Sequence, residues 1–241
     1  MVTDPPRTRR ALVTGTSSGI GAAVARALLA DGYEVTGISR RAPVDDFDSE
    51  RFHHLALDLD LLDDVEAQVG ALAKQRSFDA CVLAAGRGDF GSIEQFSRRR
   101  IETSMRVNLL STMVICRALV PRMRGQGHGR IVFIGSESAL QAGRKGSLYS
   151  AAKFGLRGFC LALREDCAAD GLQVSLVNPG MVRSPFFDGL SFAPGDKPEN
   201  AIEVDDVADA VMQVLRSSDN LVIDEVNLTP RVKSIDFGGK S

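Results

Sequence analysis

The sequence predicts an α/β fold of the Rossmann type, in which helices cover both faces of a doubly wound parallel sheet and make three layers. Three observations support this fold. Short apolar runs alternate with longer helical patterns along the 241 residues, as in consecutive βαβ units. Several runs are continuous stretches of Val, Ile, Leu and Ala, which is typical of strands buried on both faces. A glycine-rich segment, Thr14–Gly21, joins the first run to the first helical pattern.

Seven strands and five helices are expected from these patterns. The strands are predicted at Ala11–Thr14, Tyr33–Ile38, Phe52–Leu57, Ala80–Ala84, Arg130–Ile134, Gln173–Val177 and Leu221–Val226. The helices are predicted at Gly21–Ala30, Leu61–Arg76, Ser97–Met123, Ser147–Asp170 and Val204–Arg216, with ends marked by Asp31-Gly32, Gly125–Gly129 and Asp170-Gly171. For a doubly wound sheet of seven strands we expect the order 3-2-1-4-5-6-7.

The composition indicates one globular domain. The chain is 44% hydrophobic and 25% charged, and its formal net charge of −2 gives no basic surface for nucleic acid. No apolar run approaches the roughly 20 residues that span a bilayer. We expect residues 1–10 to form a flexible arm and residues 11–241 to form a single domain. The stretch around residues 181–200, rich in Pro, Gly and Phe, is expected to be one long loop.

The cysteines indicate free thiols in a reducing compartment. Cys81, Cys116, Cys160 and Cys167 form no CxxC pair. The last two lie about 10 Å apart along one predicted helix, too far for a disulfide. We therefore expect a cytoplasmic protein. Three histidines without ligand spacing give no reason to expect a metal site.

The first strand-to-helix turn predicts a pyrophosphate site. A glycine-rich turn at this position lets backbone N–H groups and a helix N-terminus approach a phosphate. The spacing here is Gly-x3-Gly-x-Gly rather than GxGxxG, and a turn without a ligand is the alternative. The expected binding residues are Gly15, Thr16, Ser17, Ser18, Gly19, Ile20 and Gly21.

The residues after the second strand favour NADP(H) over NAD(H). An NAD enzyme usually has an acidic residue here, which binds the ribose 2′-hydroxyl. This chain has Ser39, Arg40 and Arg41 instead. Guanidinium groups bind phosphate through forked, charge-assisted hydrogen bonds. For Arg41 alone, a solvated loop charge is an equally good interpretation.

Tyr149, Lys153 and Ser136 suggest acid–base chemistry on a carbonyl group. Tyr149 and Lys153 lie four residues apart in a predicted helix and so share one face. We expect the Lys153 ammonium, aided by an oxidised nicotinamide, to lower the phenol pKa from about 10. Tyr149 would then donate a proton to a carbonyl oxygen, or accept one in reverse. Ser136 ends the fifth strand, where its hydroxyl would polarise the same carbonyl.

Together these motifs resemble the short-chain dehydrogenase/reductase family, in its shorter subfamily, from Leu12 to about Pro230. The motifs are Thr14–Gly21, Asp58-Leu59, Ala85-Gly86, Asn108, Ser136, Tyr149-x3-Lys153 and Asn178-Pro179-Gly180. The resemblance implies that Lys153 also binds the nicotinamide ribose and that Asn108 holds a water in a proton relay. It also implies further cofactor contacts at Asp58, Leu59, Ala84, Ala85, Gly86, Pro179, Gly180, Val182 and Ser184.

Three places in the sequence qualify this resemblance. The family's Asn-Asn-Ala-Gly is here Leu83-Ala84-Ala85-Gly86, so the asparagine side-chain bonds to neighbouring strands are lost. Ser184 stands where threonine is commoner, and it keeps the hydroxyl. Asp58 has an alternative interpretation as the N-cap of the next helix.

The substrate side is predicted in less detail. Substrate contacts are expected at Phe90, Ser138, Leu140, Gln141, Phe186, Phe187 and Leu190. The resemblance implies that the loop around residues 181–200, which also contains Phe192, is a mobile substrate lid. An apolar lid would exclude water during hydride transfer, although these phenylalanines could equally pack the loop against the body. Arg144 is a solvated loop residue or pairs with an anionic substrate. Arg98-Arg99-Arg100 is a solvated face or a docking patch for an acidic carrier protein or another subunit.

These observations predict an NADP(H)-dependent reductase of ketones or aldehydes. The alternative is a sensor or scaffold that binds NADP(H) without turnover. Epimerase or dehydratase chemistry is disfavoured because the chain lacks the larger C-terminal substrate region of that family branch. The resemblance also implies a homodimer or homotetramer built on the helices Ser97–Met123 and Ser147–Asp170.

Overall fold

The computed structural model describes residues 8–45, 47 and 50–238. Seven parallel strands form one sheet in the order β3-β2-β1-β4-β5-β6-β7, which confirms the predicted fold class and strand order. The strands are β1 Arg10–Thr14, β2 Glu34–Ser39, β3 Phe52–Ala56, β4 Ala80–Leu83, β5 Gly129–Ile134, β6 Leu172–Pro179 and β7 Glu225–Leu228.

Helices cover both faces of this sheet. They are α1 Gly19–Ala30, α2 Leu62–Gln75, α3 Arg98–Met105, α4 Ser111–Gln126, α5 Ser147–Cys167 and α6 Val204–Leu215. Alternate residues of β1 enter opposite cores: Val13 packs with α1 and α6, and Leu12 with α2, α4 and α5. This two-sided burial explains why the central strands are continuous apolar runs. None of the helices in the described ranges is long and apolar enough to cross a bilayer.

The helix predicted at Ser97–Met123 is divided in the structure. Helix α3 ends at Met105, a π-helical turn occupies Arg106–Leu110, and α4 follows directly. The Ser111 hydroxyl donates to the Val107 carbonyl oxygen (3.0 Å) within this region. A π turn places one extra residue in a helix, and here it contains the buried Asn108.

The strand boundaries also differ from the prediction, by one or two residues in six strands and by more in the last. The last strand was expected at Leu221–Val226, but β7 is Glu225–Leu228, because only these four residues pair with β6. Leu221 is exposed instead. At the other end, Arg10 already belongs to β1, where its side chain binds Glu34 (2.9 Å). Residues 1–7 of the expected N-terminal arm lie outside the described residues.

The expected lid and the C-terminal tail, residues 229–237, run alongside each other. Val182–Arg183 of the lid pairs with Ile202–Glu203, which lies just beyond the lid, and Pro185–Phe187 forms one 3₁₀ turn. Ala193–Pro194 forms a small antiparallel ladder with Ile235–Asp236 of the tail. The lid is therefore bonded to the tail.

Candidate active site

A cavity of about 1940 Å³ opens at the carboxyl edge of the sheet. A residue that ends or follows each of the seven strands lines it, namely Gly15, Ser39, Leu57, Ala84, Gly135, Pro179 and Thr229. This edge is where doubly wound sheets bind ligands, because the loops diverge there and leave a crevice.

The glycine-rich turn brings two backbone segments unusually close. A Cβ on Gly21 would lie 2.4 Å from the carbonyl oxygen of Gly15, so only glycine fits. Gly15 itself has φ = +81° and packs against the backbone of Ala85. Helix α1 begins at Gly19, and the residues of its first turn line the cavity, so the free N–H groups of the helix N-terminus lie at this site. The turn thus has the close backbone approach and positive helix end that a pyrophosphate requires.

At the end of β2, Ser39 and the two arginines have different roles. The Ser39 hydroxyl donates to the Arg41 carbonyl oxygen (2.8 Å) and lies 3.0 Å from His54 Nε2, so it shapes the turn. Arg40 and Arg41 are exposed and line the cavity. Thr16 is completely buried and does not line the cavity; its hydroxyl lies 3.3 Å from that of Ser39.

Asp58 holds the turn after β3. Its Oδ1 accepts a hydrogen bond from the backbone N–H of Asp60 (3.0 Å), whereas the N-cap of α2 is Leu61. The alternative in which Asp58 caps this helix is therefore wrong. Asp58 and Leu59 both line the cavity.

The four predicted catalytic residues come together from β5, α5 and the π turn. Tyr149 and Lys153 are both buried on α5. The Lys153 Nζ donates to the Ile134 carbonyl oxygen (2.9 Å) and lies 5.7 Å from the centroid of the Tyr149 ring. Ser136 follows β5, and its hydroxyl lies near enough to Tyr149 to lower the pKa of the phenol. The backbone N–H of Ser138 also donates to the Ser136 hydroxyl (3.1 Å).

Burial dominates the electrostatics of this group. Burial raises the pKa of Tyr149 to about 12. The nearby Ser136 hydroxyl lowers this pKa and the negative charge of Glu137 raises it, but both effects are smaller than that of burial. Burial also lowers the pKa of Lys153 to about 8. The predicted lowering of the Tyr149 pKa combines Lys153 with an oxidised nicotinamide and stays a prediction; among the protein's own groups, desolvation outweighs the effect of the neighbours. At neutral pH, Tyr149 is a protonated phenol and can donate its proton.

Asn108 lies behind the cavity rather than in its wall. Its Oδ1 accepts from the Arg87 N–H (2.9 Å), and its Nδ2 donates to the Arg87 carbonyl oxygen (3.1 Å). A Cβ on Gly86 would lie 3.2 Å from Asn108 Oδ1 and 3.8 Å from Lys153 Nζ. Asn108 thus fixes the backbone beside Lys153.

The loop after β4 is anchored even though Leu83-Ala84 replaces the two asparagines of the family's pattern. Leu83 is buried in the core, and the Ala85 N–H donates to the hydroxyl of Thr14 (3.0 Å). A β1 side chain therefore supplies a bond that holds the loop after β4. Asn178 does the same for the loop after β5: its Oδ1 accepts from the Ser136 N–H (3.3 Å).

The substrate side is lined with aromatic rings. The Phe90 and Phe186 ring centroids lie 5.0 and 5.7 Å from that of Tyr149, and Phe192 lies 4.9 Å from Phe90. The phenylalanines therefore pack on one another and also face the cavity. All of the predicted substrate contacts line it: Phe90, Ser138, Leu140, Gln141, Phe186, Phe187 and Leu190.

The predicted cofactor contacts also line the cavity, apart from Thr16. They are Gly15, Ser17, Ser18, Gly19, Ile20, Gly21, Ser39, Arg40, Arg41, Asp58, Leu59, Ala84, Ala85, Gly86, Tyr149, Lys153, Pro179, Gly180, Val182 and Ser184. The tail was not predicted to contribute, yet Lys233, Ile235 and Phe237 line the cavity as well. Asn178 could have been identified as a site residue from the Asn178-Pro179-Gly180 motif. The tail residues have no local sequence pattern that identifies them as part of the site.

The remaining arginines are distributed differently. Arg144 is exposed and lines the cavity. Arg98 pairs with Glu102 (2.7 Å), and Arg100 pairs with the fully buried Asp89 (2.9 Å). Two of the three consecutive arginines are thus engaged within the chain.

Known proteins share both the sequence pattern and the architecture. The sequence model of the short chain dehydrogenase family matches residues 9–192. The uncharacterized oxidoreductase YbbO of Escherichia coli (strain K12) is 31% identical over 192 residues, covering 78% of this chain and 71% of that protein. The 3-oxoacyl-acyl-carrier-protein reductase FabG of Buchnera aphidicola is 28% identical, covering 84% and 87%. A metagenomic short-chain oxidoreductase crystallised with NADP is 30% identical, with a TM-score of 0.75, covering 93% of this chain and 98% of that one.

Proposed function

Because this chain belongs to the short-chain dehydrogenase family and is thus an NAD(P)-dependent oxidoreductase, we propose that it reduces a ketone or aldehyde with NADPH. The observation that carries this proposal is the buried Tyr149 beside Ser136 and Lys153 at the wall of the cavity. These are the groups that carbonyl reduction needs: a proton donor, a hydrogen bond to orient the carbonyl, and an ordering cation.

The residues present fit NADP(H). The Gly15–Gly21 cradle leaves no room for a Cβ at Gly21 and suits the pyrophosphate. Arg40 and Arg41 provide exposed cations at the end of β2, where a 2′-phosphate would lie. The structure of a relative crystallised with NADP supports the same choice. When bound, the cofactor supplies hydride to the carbonyl carbon.

The protein's own residues account for the proton. Tyr149 donates its phenolic proton to the carbonyl oxygen, since its pKa of about 12 keeps it protonated at neutral pH. Ser136 positions the carbonyl through its hydroxyl. Lys153 is held beside Tyr149 by the Ile134 carbonyl oxygen, and its pKa of about 8 suits it to return a proton to the phenolate at neutral pH. The aromatic rings around Tyr149 exclude water.

A sensor or scaffold that binds NADP(H) without turnover is the second candidate. The Leu83-Ala84 departure favours it, but Thr14 anchors the same loop through Ala85. A binder has no need of a buried phenol at the cavity wall, so catalysis is the better explanation. A cytoplasmic location and a homodimer or homotetramer are further parts of the proposal, in line with the family.

Substitution of the two arginines tests the cofactor choice. We expect Arg40→Ala/Arg41→Ala to weaken NADPH binding by roughly 10–100-fold, which corresponds to one or two lost charge-assisted hydrogen bonds. NADH binding should change by less than about 3-fold, since NADH lacks the 2′-phosphate. Arg117→Ala, at an exposed pair with Glu66, is the control.

Cofactor titrations and steady-state rates with ketones and aldehydes give the readout. Nicotinamide absorbance should fall with NADPH and a carbonyl compound. Equal losses of NADPH and NADH binding in the double variant would contradict the assignment of the 2′-phosphate site. NADPH binding without turnover across the panel would favour the sensor.

A further inference from the structure

The C-terminal tail (residues 229–237) is bonded to the lid along much of its length. The Val232 N–H donates to the Glu199 carbonyl oxygen (2.9 Å), and the Gly195 N–H donates to the Ser234 carbonyl oxygen (3.1 Å). The ladder between Ile235–Asp236 and Ala193–Pro194 continues this pairing. The tail therefore has a defined path beside the lid.

A second anchor joins the tail to the loop after β5, which carries Ser136 and is called the catalytic loop below. Lys233 Nζ donates to Glu137 Oε2 at 2.8 Å, and Glu137 directly follows Ser136. The tail is thus fixed to the lid on one side and to the catalytic loop on the other. This position makes Ile235 and Phe237 part of the cavity wall.

Aromatic rings connect the tail with Tyr149. The ring centroids of Tyr149 and Phe90 are 5.0 Å apart, those of Phe90 and Phe192 are 4.9 Å apart, and those of Phe192 and Phe237 are 6.5 Å apart. Phe237 is 81% exposed even though it stands beside this cavity. A ligand that covers its ring gains both apolar burial and ring contacts.

The charged groups on this side of the cavity do not favour a charged substrate. Glu137 is already paired with Lys233. Arg144, Lys145 and Asp188 are exposed, which places their charges at the solvent-facing rim. Near Tyr149 the walls are aromatic. The cations Lys153 and Arg87 also line the cavity, but Lys153 already donates to the Ile134 carbonyl oxygen (2.9 Å) and Arg87 pairs with the buried Asp89 (2.9 Å). A charged substituent there would lose its hydration and meet only groups that already have partners.

We propose that the tail forms a wall of the substrate chamber and that Phe237 selects carbonyl compounds with a bulky, uncharged, apolar substituent. This proposal rests on the proposed function. It assigns a substrate class to the site and a specificity-determining role to a residue 88 positions beyond Tyr149 in sequence.

A pair of aryl ketones tests the proposal. Methyl 4-acetylbenzoate and 4-acetylbenzoate share the ring and the ketone and differ in charge. We expect wild-type kcat/KM for the ester to exceed that for the carboxylate by at least about 10-fold. Phe237→Ala should lower kcat/KM for the ester by about 5–10-fold, mainly through KM, because a ring contact is lost. Butane-2,3-dione is too small to need this wall, and its rate should stay within about 2-fold.

Val232→Ala is the matched control. Val232 is an exposed apolar residue of the same tail that does not line the cavity, so the variant should keep the ester preference. Saturation-transfer NMR of the ester measures binding separately from turnover and should show a weaker signal with Phe237→Ala.

The outcomes separate the two proposals. Ester binding that depends on Phe237, without reduction of any ketone, would support the chamber and contradict the reductase assignment. Ketone reduction with an unchanged ester preference in Phe237→Ala, or a preference for the carboxylate, would overturn the chamber. Dissociation of subunits by Phe237→Ala, measured by light scattering, with unchanged ester selectivity would assign Phe237 to a subunit contact and also overturn it.

Discussion

Gly21→Ala tests whether the strand-to-helix turn is built for close backbone approach. The added Cβ would lie 2.4 Å from the Gly15 carbonyl oxygen, about 1 Å inside an ordinary contact of 3.4 Å. Both groups belong to backbone, so α1 or the turn has to move. Overpacking of this size costs about 1–3 kcal/mol in the free energy of unfolding, or a Tm decrease of roughly 3–9 °C for a chain of this length.

The same movement should weaken NADPH binding. Loss of one charge-assisted hydrogen bond from the turn to a phosphate costs about 1.5–3 kcal/mol, or roughly 10–100-fold in Kd. Thermal unfolding followed by circular dichroism and a fluorescence titration with NADPH measure the two effects. A variant with unchanged Tm and unchanged Kd would refute the packing argument.

Gly70→Ala is the matched control for this substitution. Gly70 lies within α2, and a Cβ there would meet nothing within 4 Å. Alanine is favoured over glycine in a helix by about 0.5–1 kcal/mol, so Tm should rise by roughly 1–4 °C. NADPH binding should not change.

Two further substitutions test the buried charges. The folded-state pKa of Lys153 is about 8, below its usual 10.5, so the cost of burying its ammonium is fully present below pH 8 and vanishes above about pH 10.5. At pH 7, Lys153→Met should therefore raise the free energy of unfolding by about 1–3 kcal/mol, after subtraction of the lost hydrogen bond to Ile134, and Tm should rise with it. This gain should shrink toward pH 10. A lower Tm of the variant at pH 7 would contradict the argument. Asp89→Asn should cost about 2–3 kcal/mol, because the fully buried carboxylate accepts from two half-exposed arginines. Glu102→Gln, which removes an exposed ion pair with Arg98, is the control and should leave Tm unchanged. Equal Tm values for Asp89→Asn and Glu102→Gln would show that the Asp89 network does not stabilise the fold.

Local pattern was sufficient to predict the sheet. Burial on both faces makes β1, β4 and β5 continuous apolar runs, and glycine is required where α1 meets the first turn. The last strand was predicted too early because its limits depend on pairing with β6, a tertiary contact. The π turn at Arg106–Leu110 has a residue composition that an α-helix could also have, so the sequence does not reveal where the predicted helix is divided.

The site was predictable where residue type and spacing carry the chemistry. Tyr149, Lys153 and Ser136 lie at the cavity as expected. The pKa of Tyr149 was not predictable, because it depends on how completely the surrounding rings desolvate the phenol. The contribution of Phe237 depends on a chain path that runs from β7 back to the lid, and sequence spacing does not reveal such a path.

The turnover of Tyr149→Phe tests the central claim most directly, since this variant removes one hydroxyl and keeps the ring that packs on Phe90. We predict that the rate of NADPH-dependent ketone reduction falls by about 10²–10⁴-fold while the Kd for NADPH stays within about 3-fold. Tyr33→Phe, at the other tyrosine, which lies against Arg9, should retain full activity. Wild-type turnover in Tyr149→Phe would contradict the assignment of this phenol as the proton donor.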